Sequence, residues 1–316
     1  MSSTTEVSLS QQLSSWAESI GRTVKKNSLP YLLIAPMAIL VIAFIIVPIL
    51  RNTWMSFFDW YLARPSSHPF IGLENYIEVF TASTFKNSAK VTAIYIGVTV
   101  PARFLLALGI ALLLSNTFKG RGLARSIIII PWAIPVVVAC LIWVQMLDYQ
   151  YGIINYALIK LHLINEPLNW LSSMTLALPA AMAVNIWKGT PWPAIMLLAG
   201  LQSIPLELYE AAMVDGANAW QKFRYVTLPM LKPVSLIVFL LLVIWTIKDF
   251  AIVYVLNKGG PAHATEVLTV YVYRSAFEGL RMGEAAAGGM VLLAISMIFT
   301  IFYLRVMGGE EESVWK

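Results

Sequence analysis

Two charged residues lie within long apolar stretches of this chain, and a charge placed there needs a chemical reason. Lys188 and Asp249 both follow runs of hydrophobic residues. A charge among apolar helices usually faces a polar cavity or an opposite charge. Three interpretations therefore stay open: a site for a polar solute, a buried ion pair between Lys188 and Asp249, or a Lys188 side chain that extends to the membrane interface.

A second polar feature is the segment ELYEAAMVDGANAW, residues 207–220, which separates two apolar segments. Pro205 is suited to a helix start, and residues 206–214 are good helix formers. Gly216 allows the backbone to turn before a second helix begins at Ala217. The sequence therefore predicts a short helix, a break and another helix.

The first of these helices would carry a face of small residues on which another protein could pack closely. Members of this face recur at helical spacing: Leu208, Ala211, Ala212 and Asp215. Glu207 and Glu210 lie beside it and are placed to pair with basic groups of a partner. The alternative is an amphipathic helix on the lipid surface, although such helices usually carry Lys and Arg rather than acids.

The chain lacks the motifs of common catalytic and nucleotide-binding sites. It has no G-x-x-x-x-G-K-[ST] phosphate loop, no H-E-x-x-H, no C-x-x-C and no G-x-S-x-G. Its three histidines are scattered, and its one cysteine, Cys140, lies in an apolar run. We therefore expect neither enzymatic activity nor a metal site.

The composition indicates an integral membrane protein. Of the 316 residues, 59% are hydrophobic and 12% are charged, whereas about a quarter of the residues in soluble domains are charged. The net charge of +5 agrees with an excess of Lys and Arg in cytoplasmic loops, and no basic tract indicates binding to nucleic acid.

Six apolar runs are long enough to cross a bilayer, which takes about 20 residues as helix. They predict spans at residues 31–50, 91–114, 126–147, 174–199, 234–256 and 285–305. Basic residues cluster before the first span and after the second, so the positive-inside rule places both termini in the cytoplasm. Residues 1–30 and 307–316 would then be cytoplasmic tails of a transmembrane domain at residues 31–306.

Proline interrupts several of these spans, and each interior proline removes a backbone donor. Pro131 and Pro135 in the third span and Pro191 and Pro193 in the fourth predict kinks. Kinks are tolerated where neighbouring helices or a polar path satisfy the freed carbonyls. Arg103, in the second span, is assigned to a helix-packing or interface contact.

A set of short motifs runs through residues 30–305. Its main part is Glu210-Ala211-Ala212, Asp215-Gly216-Ala217, Phe223 and Leu228-Pro229, accompanied by FIGLENY from Phe70, PWAIP from Pro131, LQSIP from Leu201 and GGP from Gly259. The main part, within residues 203–229, resembles the EAA loop of permease subunits of binding-protein-dependent ABC importers. The whole set is most similar to the carbohydrate branch, of the maltose and glycerol-phosphate type.

The resemblance implies an all-α type I permease fold with six transmembrane helices, in the inner membrane of a prokaryote. A cytoplasmic coupling helix would be formed around the matched residues Glu207, Glu210, Ala211, Ala212, Asp215, Gly216 and Ala217. The implied partners are a second homologous permease, two cytoplasmic ATPase subunits that hold ATP and Mg²⁺, and an extracytoplasmic solute-binding protein. The chain itself would need no cofactor.

The resemblance also implies a sugar site at mid-membrane depth. Its matched positions are Trp132, Val136, Asn185, Lys188, Gly189, Trp245, Thr246 and Asp249. Indole rings stack on sugar C–H surfaces, and Asn, Thr and Asp hydrogen-bond to hydroxyls. Val136 departs from the polar residue of the better-known relative. The expected solute is an oligosaccharide or an acidic, phosphorylated or sulfonated sugar, and an unpaired Lys188 would favour the acidic class.

A secondary transporter or channel for a polar solute is the main alternative function. It would require inverted repeats or an ion-coupling carboxylate within the bundle. The sequence shows no repeat, and Asp249 is its best candidate carboxylate. A membrane scaffold without transport activity would leave Lys188 and Asp249 unexplained.

Overall fold

The computed structural model describes residues 28–314 of the chain. Within this range the secondary structure consists of helices and two isolated β-bridges, with no strand. The predicted all-α fold class is therefore confirmed. Two five-residue π-helical turns, Ile42–Ile46 and Phe223–Thr227, continue directly from one α-helix into the next.

The α-helices are α1 (Ser28–Val41), α2 (Val47–Met55), α3 (Glu74–Thr81), α4 (Ser83–Ser115), α5 (Arg121–Ala133), α6 (Val136–Met146), α7 (Ile153–Lys160), α8 (Ala177–Gly189), α9 (Pro191–Gln202), α10 (Leu206–Val214), α11 (Ala219–Lys222), α12 (Leu228–Ile247), α13 (Ala251–Asn257), α14 (Leu268–Phe277) and α15 (Met282–Val314). The chain divides into two compact units, one that ends at Trp54 and one that begins at Met55.

Four helical segments of the described chain are long and apolar enough to cross a membrane. They are Leu32–Met55, Ser83–Ser115, Ala219–Ile247 and Met282–Arg305. A fifth results if the bent pair α5 and α6 forms one span. The predicted fourth span is instead two shorter helices, α8 and α9, that meet at Thr190. The count of six spans therefore stays a prediction.

The third predicted span is broken at Pro135. Its two helices, α5 and α6, meet at an angle of 93°. Ile134 has an extended backbone, with φ −67° and ψ 132°, because a residue before proline is disfavoured in the helical conformation. Pro131 lies inside α5, which continues past it. The kink predicted for this span is thus a break centred on the second of its two prolines.

The fifth predicted span, at residues 234–256, ends earlier as a helix than the apolar pattern suggests. Helix α12 stops at Ile247, and three residues that include the polar pair Lys248 and Asp249 separate it from α13. Apolar residues on both sides of this polar pair made the two helices look like one run. The break matters because it places Asp249 at a helix junction.

Helix α4 is the centre of the larger unit, and it packs against α8, α9, α12 and α14. Ala107 and Ala111 of α4 are completely buried, and such small side chains let neighbouring helices approach closely. Leu197 of α9 and Leu231 and Leu242 of α12 complete the same apolar cluster. Burial of a leucine side chain contributes about 1.5–3 kcal/mol relative to exposure to water.

A group of charged side chains stabilises the start of α14. Glu266 is only 2% exposed, and it accepts a hydrogen bond from Arg274 Nη1 at 2.8 Å. His263 also contacts the Glu266 carboxylate. Arg274 Nε donates to the exposed Glu278 at 2.9 Å. The hydrogen bond to Glu278, together with the charge of Glu266, raises the pKa of the Arg274 guanidinium, and burial opposes this shift.

Glu266 and Glu278 provide a matched test of burial, because both pair with Arg274. We expect Glu266→Gln to destabilise the purified protein by about 1–3 kcal/mol, since it weakens hydrogen bonds in a buried site. Glu278→Gln should change stability by less than about 0.5 kcal/mol, since exposed pairs contribute little. Thermal unfolding in detergent would measure both, and equal losses would contradict the assignment.

Candidate functional site

The polar side chains of α8 and of the junction between α12 and α13 meet α4 in one hydrogen-bonded network. Asn185 Nδ2 donates to Asp249 Oδ2 at 2.7 Å, and the Tyr95 hydroxyl donates to the same oxygen at 2.8 Å. The other carboxylate oxygen, Asp249 Oδ1, accepts the backbone N–H of Ile252 at 3.5 Å. Two neutral donors thus hold one carboxylate oxygen and leave the other weakly bonded within the described chain.

Arg103 of α4 joins this network from the opposite side. Its side chain is buried, with 6% of the residue exposed. Nη1 lies 3.4 Å from both Asn185 Oδ1 and Thr246 Oγ1, and Nη2 donates to the Gly189 carbonyl at 3.0 Å. Nε is buried without a hydrogen-bond partner. Asn185 therefore bridges the guanidinium and the Asp249 carboxylate, which do not bond directly.

Arg103 makes the contact between helices that was predicted for it, because its guanidinium joins α4 to α8 and α12, but its place in a polar network was not predicted. The signal that singled out Lys188 and Asp249, a charge within an apolar run, applies equally to Arg103. A polar-network role follows from that signal because a guanidinium needs several acceptors when it is buried.

Gly189 is the position where α8 makes room for Arg103. A Cβ atom built on Gly189 would overlap the guanidinium carbon and nitrogens of Arg103. Any larger residue must displace the guanidinium, which is held by three acceptors. A glycine suits this position because the Arg103 guanidinium occupies the space that a Cβ atom would take.

Lys188 bonds to backbone carbonyls at the break between α5 and α6. Its Nζ lies 2.7 Å from the Ile134 carbonyl oxygen, 3.2 Å from that of Pro131 and 3.4 Å from that of Trp132. Within the described chain, no hydrogen bond or ion pair joins Lys188 to Asp249. The condition that favoured an acidic saccharide, a Lys188 without partners, is not met in this structure.

The apolar members of the predicted site lie outside the hydrogen-bonded network. Trp245 is 42% exposed and contacts Trp192 edge to face, with ring centroids 4.5 Å apart. Trp132 is 50% exposed and reaches Lys188 through its backbone carbonyl. Val136 packs partly buried against the apolar cluster of α8 and α13. The network itself contains Asn185, Gly189, Thr246 and Asp249 of the predicted residues.

The polar segment at residues 207–220 folds as a helix, a break and a second helix, as predicted. After α10, Gly216 adopts a left-handed φ of +77°. The N–H groups of Gly216 and Ala217 donate to the carbonyls of Met213 and Ala212, at 3.0 and 2.9 Å, which forms a Schellman cap. Ala217 thus belongs to this cap, and the second helix begins later than expected.

Asn218 sets the actual start of the second helix, α11. Its side chain accepts the N–H of Gln221 at 2.9 Å, and the Gln221 side chain accepts the N–H of Asn218 at 2.8 Å. This reciprocal capping box fixes Ala219 as the first helical residue.

Helix α10 has no buried residue within this chain. Most of the predicted coupling positions are exposed, and Ala212 and Ala217 are half-buried. A hydrogen bond of 2.9 Å between the Tyr209 hydroxyl and Thr227 Oγ1 connects the helix to the π-helical turn before α12. The helix is therefore attached to a long apolar segment on one side and open on the other.

Residues 104–307 match the family described as the binding-protein-dependent transport system inner membrane component. The chain belongs to this family. The match begins at residue 104, in the C-terminal part of α4, and continues through most of α15. It includes α10 and the network residues of α8 and of the junction between α12 and α13, whereas Tyr95 and Arg103 precede it. Members of the family are transport permeases, which agrees with the absence of catalytic motifs.

Curated relatives extend the similarity over nearly the whole chain. The trehalose/maltose transport system permease protein MalF of Thermococcus litoralis is 38% identical over 285 residues, with 89% of this chain and 94% of that protein covered. The sulfoquinovosyl glycerol transport system permease protein SmoG of Agrobacterium fabrum is 37% identical, with 90% and 91% covered.

A solved structure shows the same fold. A chain of a bacterial alginate ABC transporter, in complex with an alginate pentasaccharide-bound periplasmic protein, superposes with a TM-score of 0.76 at 24% identity. The superposition covers 89% of this chain and 94% of that chain. The predicted type I permease fold is therefore confirmed.

We expect Gly189→Ala to disrupt the network, because the added Cβ must displace the Arg103 guanidinium. Loss of its hydrogen bonds should destabilise the protein by about 2–4 kcal/mol. Gly97→Ala is the matched control, since Gly97 lies in α4 and a Cβ there meets no atom within 4 Å. Thermal unfolding of both variants is the measurement, and a Gly189→Ala protein as stable as Gly97→Ala would refute the packing argument.

Proposed function

We propose that this chain is the membrane-spanning permease subunit of an ATP-driven importer, and that it translocates a saccharide received from an extracytoplasmic binding protein. The family supports transport across a membrane. The names of the relatives support the solute class, because trehalose, maltose, sulfoquinovosyl glycerol and alginate are all saccharides or saccharide derivatives.

The observation that carries the solute class is the polar network inside an apolar bundle. Asp249 Oδ1 has one weak backbone donor, so it is available to accept a hydroxyl hydrogen. Trp245, beside the network in sequence, exposes an indole on which a sugar ring can stack. Hydroxyl-binding groups together with an exposed indole suit a sugar better than an apolar solute or a bare ion.

The proposed energy coupling uses α10 and the turn at Gly216. Helix α10 would dock on a cytoplasmic ATPase subunit that binds ATP and Mg²⁺, with the exposed acids Glu207 and Glu210 toward basic groups of that partner. A second permease and a second ATPase would complete the membrane complex. Closure of the ATPase pair would move α10, and the permease helices would switch as rigid bodies between inward- and outward-facing states.

The proposed orientation places both termini in the cytoplasm, on the same side as α10. Six spans give this arrangement if α8 and α9 together count as one span. Insertion reporters fused after residue 316 and within residues 161–173 would test it, since the two positions should lie on opposite sides of the membrane.

The proposed function is tested by purification of the complex from its native membrane and reconstitution in lipid nanodiscs. We expect ATPase subunits to copurify, and ATP hydrolysis to increase when the binding protein is added with its saccharide. A panel of neutral, uronic, phosphorylated and sulfonated sugars would identify the solute. Solute uptake by this chain alone, without an ATPase, would instead indicate a secondary transporter or channel.

We expect Gly216→Val to abolish ATP-driven uptake while the subunit still inserts. The substitution strains the left-handed turn by about 1–2 kcal/mol and alters the proposed docking surface. Glu210→Lys should also abolish uptake, by charge reversal on α10.

Gly72→Val is the matched control for this prediction. Gly72 and Gly216 both have positive φ, +61° and +77°, and at both positions a Cβ atom would meet no atom within 4 Å. The strain is therefore comparable, and only Gly216 lies in the proposed coupling element. If the Gly72→Val variant is active and the Gly216→Val variant takes up solute at the same rate, the coupling role is excluded.

A further inference from the structure

Among the prolines of the bundle, Pro135 and Pro193 each leave a backbone carbonyl near the C-terminal end of a helix without its regular helical donor. In an α-helix the carbonyl of a residue accepts the N–H of the fourth residue after it, and proline has no N–H. Pro135 therefore leaves the Pro131 carbonyl without its donor, and Pro193 does the same to the Gly189 carbonyl. Inside an apolar bundle, such a carbonyl needs another donor.

Lys188 supplies the donor at the first of these breaks. Its Nζ reaches the Pro131 carbonyl at 3.2 Å, and also the carbonyls of Trp132 and Ile134 at 3.4 and 2.7 Å. These carbonyls lie at the C-terminal end of α5, where the helix dipole favours a cation. An ammonium group has three donor hydrogens, so the three carbonyls occupy all of them.

Arg103 supplies the donor at the second break. Its Nη2 reaches the Gly189 carbonyl, at the C-terminal end of α8, at 3.0 Å. Gly189 has no side chain, so the guanidinium can approach this carbonyl closely. The same guanidinium contacts Asn185 and Thr246 through Nη1. Lys188 and Arg103 thus each bond to a carbonyl that precedes a proline by four residues.

We propose that Lys188 and Arg103 are positioning residues that hold the two proline breaks, each by donating to the carbonyl that the proline leaves without a helical partner. Lys188 then fixes the 93° bend between α5 and α6, and Arg103 fixes the junction between α8 and α9 beside Asp249. For its effect on transport, this inference rests on the proposed permease function. For its effect on structure, it stands independently.

Matched double-mutant cycles test the proposal in the complex reconstituted in nanodiscs. The change Pro135→Ala restores an N–H for the Pro131 carbonyl, and Pro193→Ala restores one for the Gly189 carbonyl. Lys188→Met should lower the unfolding temperature by roughly 5 °C, and by less than about half of that in the Pro135→Ala background. Arg103→Met should likewise lower the unfolding temperature by roughly 5 °C, and by less than about half of that in the Pro193→Ala background.

The crossed pairs serve as controls. Lys188→Met with Pro193→Ala, and Arg103→Met with Pro135→Ala, should give additive losses, because these pairs share no hydrogen bond. Lys188→Arg, which keeps donors at the same position, should retain more stability than Lys188→Met. Additive losses in the matched pairs, or equal losses in Lys188→Arg and Lys188→Met, would overturn the proposal.

These outcomes are separable from those of the proposed function. Unfolding temperatures need neither a saccharide nor ATP, so the cycles can be measured even if the complex imports nothing. An inactive complex with non-additive matched pairs would refute saccharide import and support the positioning role. An active complex with additive matched pairs would support saccharide import and refute the positioning role.

Discussion

A carbonyl group inside an apolar bundle must have a donor, and much of this structure follows from that constraint. Helices within a membrane normally satisfy their own backbone groups, because lipid offers no hydrogen-bond partner. Because Pro135 and Pro193 have no N–H, the carbonyls of Pro131 and Gly189 have no helical donor. Lys188 and Arg103 reach those carbonyls from neighbouring helices, and their bonds connect α8 to α5 and α4 to α8. The break after α5 is thereby tied to α8, and the break after α8 is tied to the continuous helix α4.

The same arrangement explains how a carboxylate is held in the bundle. Asp249 is not paired directly with a cation, since Asn185 lies between it and Arg103 and bonds to both. The amide of Asn185 donates to the carboxylate and accepts from the guanidinium. Each charged group therefore has a hydrogen-bond partner, although the two do not bond to each other. Asp249 Oδ1 then accepts only the backbone N–H of Ile252 within the described chain. A direct ion pair with Arg103 would have used more of the acceptor capacity of this carboxylate.

How far the site could be predicted depended on how local each feature is. The turn at Gly216 and the helix α10 follow from residues within one segment. Both were predicted correctly, and only the start of the second helix was predicted too early. That start shifted from Ala217 because the Schellman cap takes two residues after Asp215. Asn185 and Thr246 were found through motif resemblance, and Asp249 was found first as a charge within an apolar run. Arg103 carries the same signal as Lys188 and Asp249, a charge within an apolar run, but its partners lie on other helices and only the structure identifies them.

The sequence by itself determined that this is an all-helical membrane protein, which residues lack a backbone donor and which charges lie among apolar residues. Those properties depend on hydropathy and on the missing N–H of proline, both of which are local. Only the tertiary structure decided which donor serves which carbonyl. Lys188 is 57 residues from Pro131, and Arg103 is 86 residues from Gly189. Contacts over such separations are set by how helices pack, and helix packing brought these cations to the backbone.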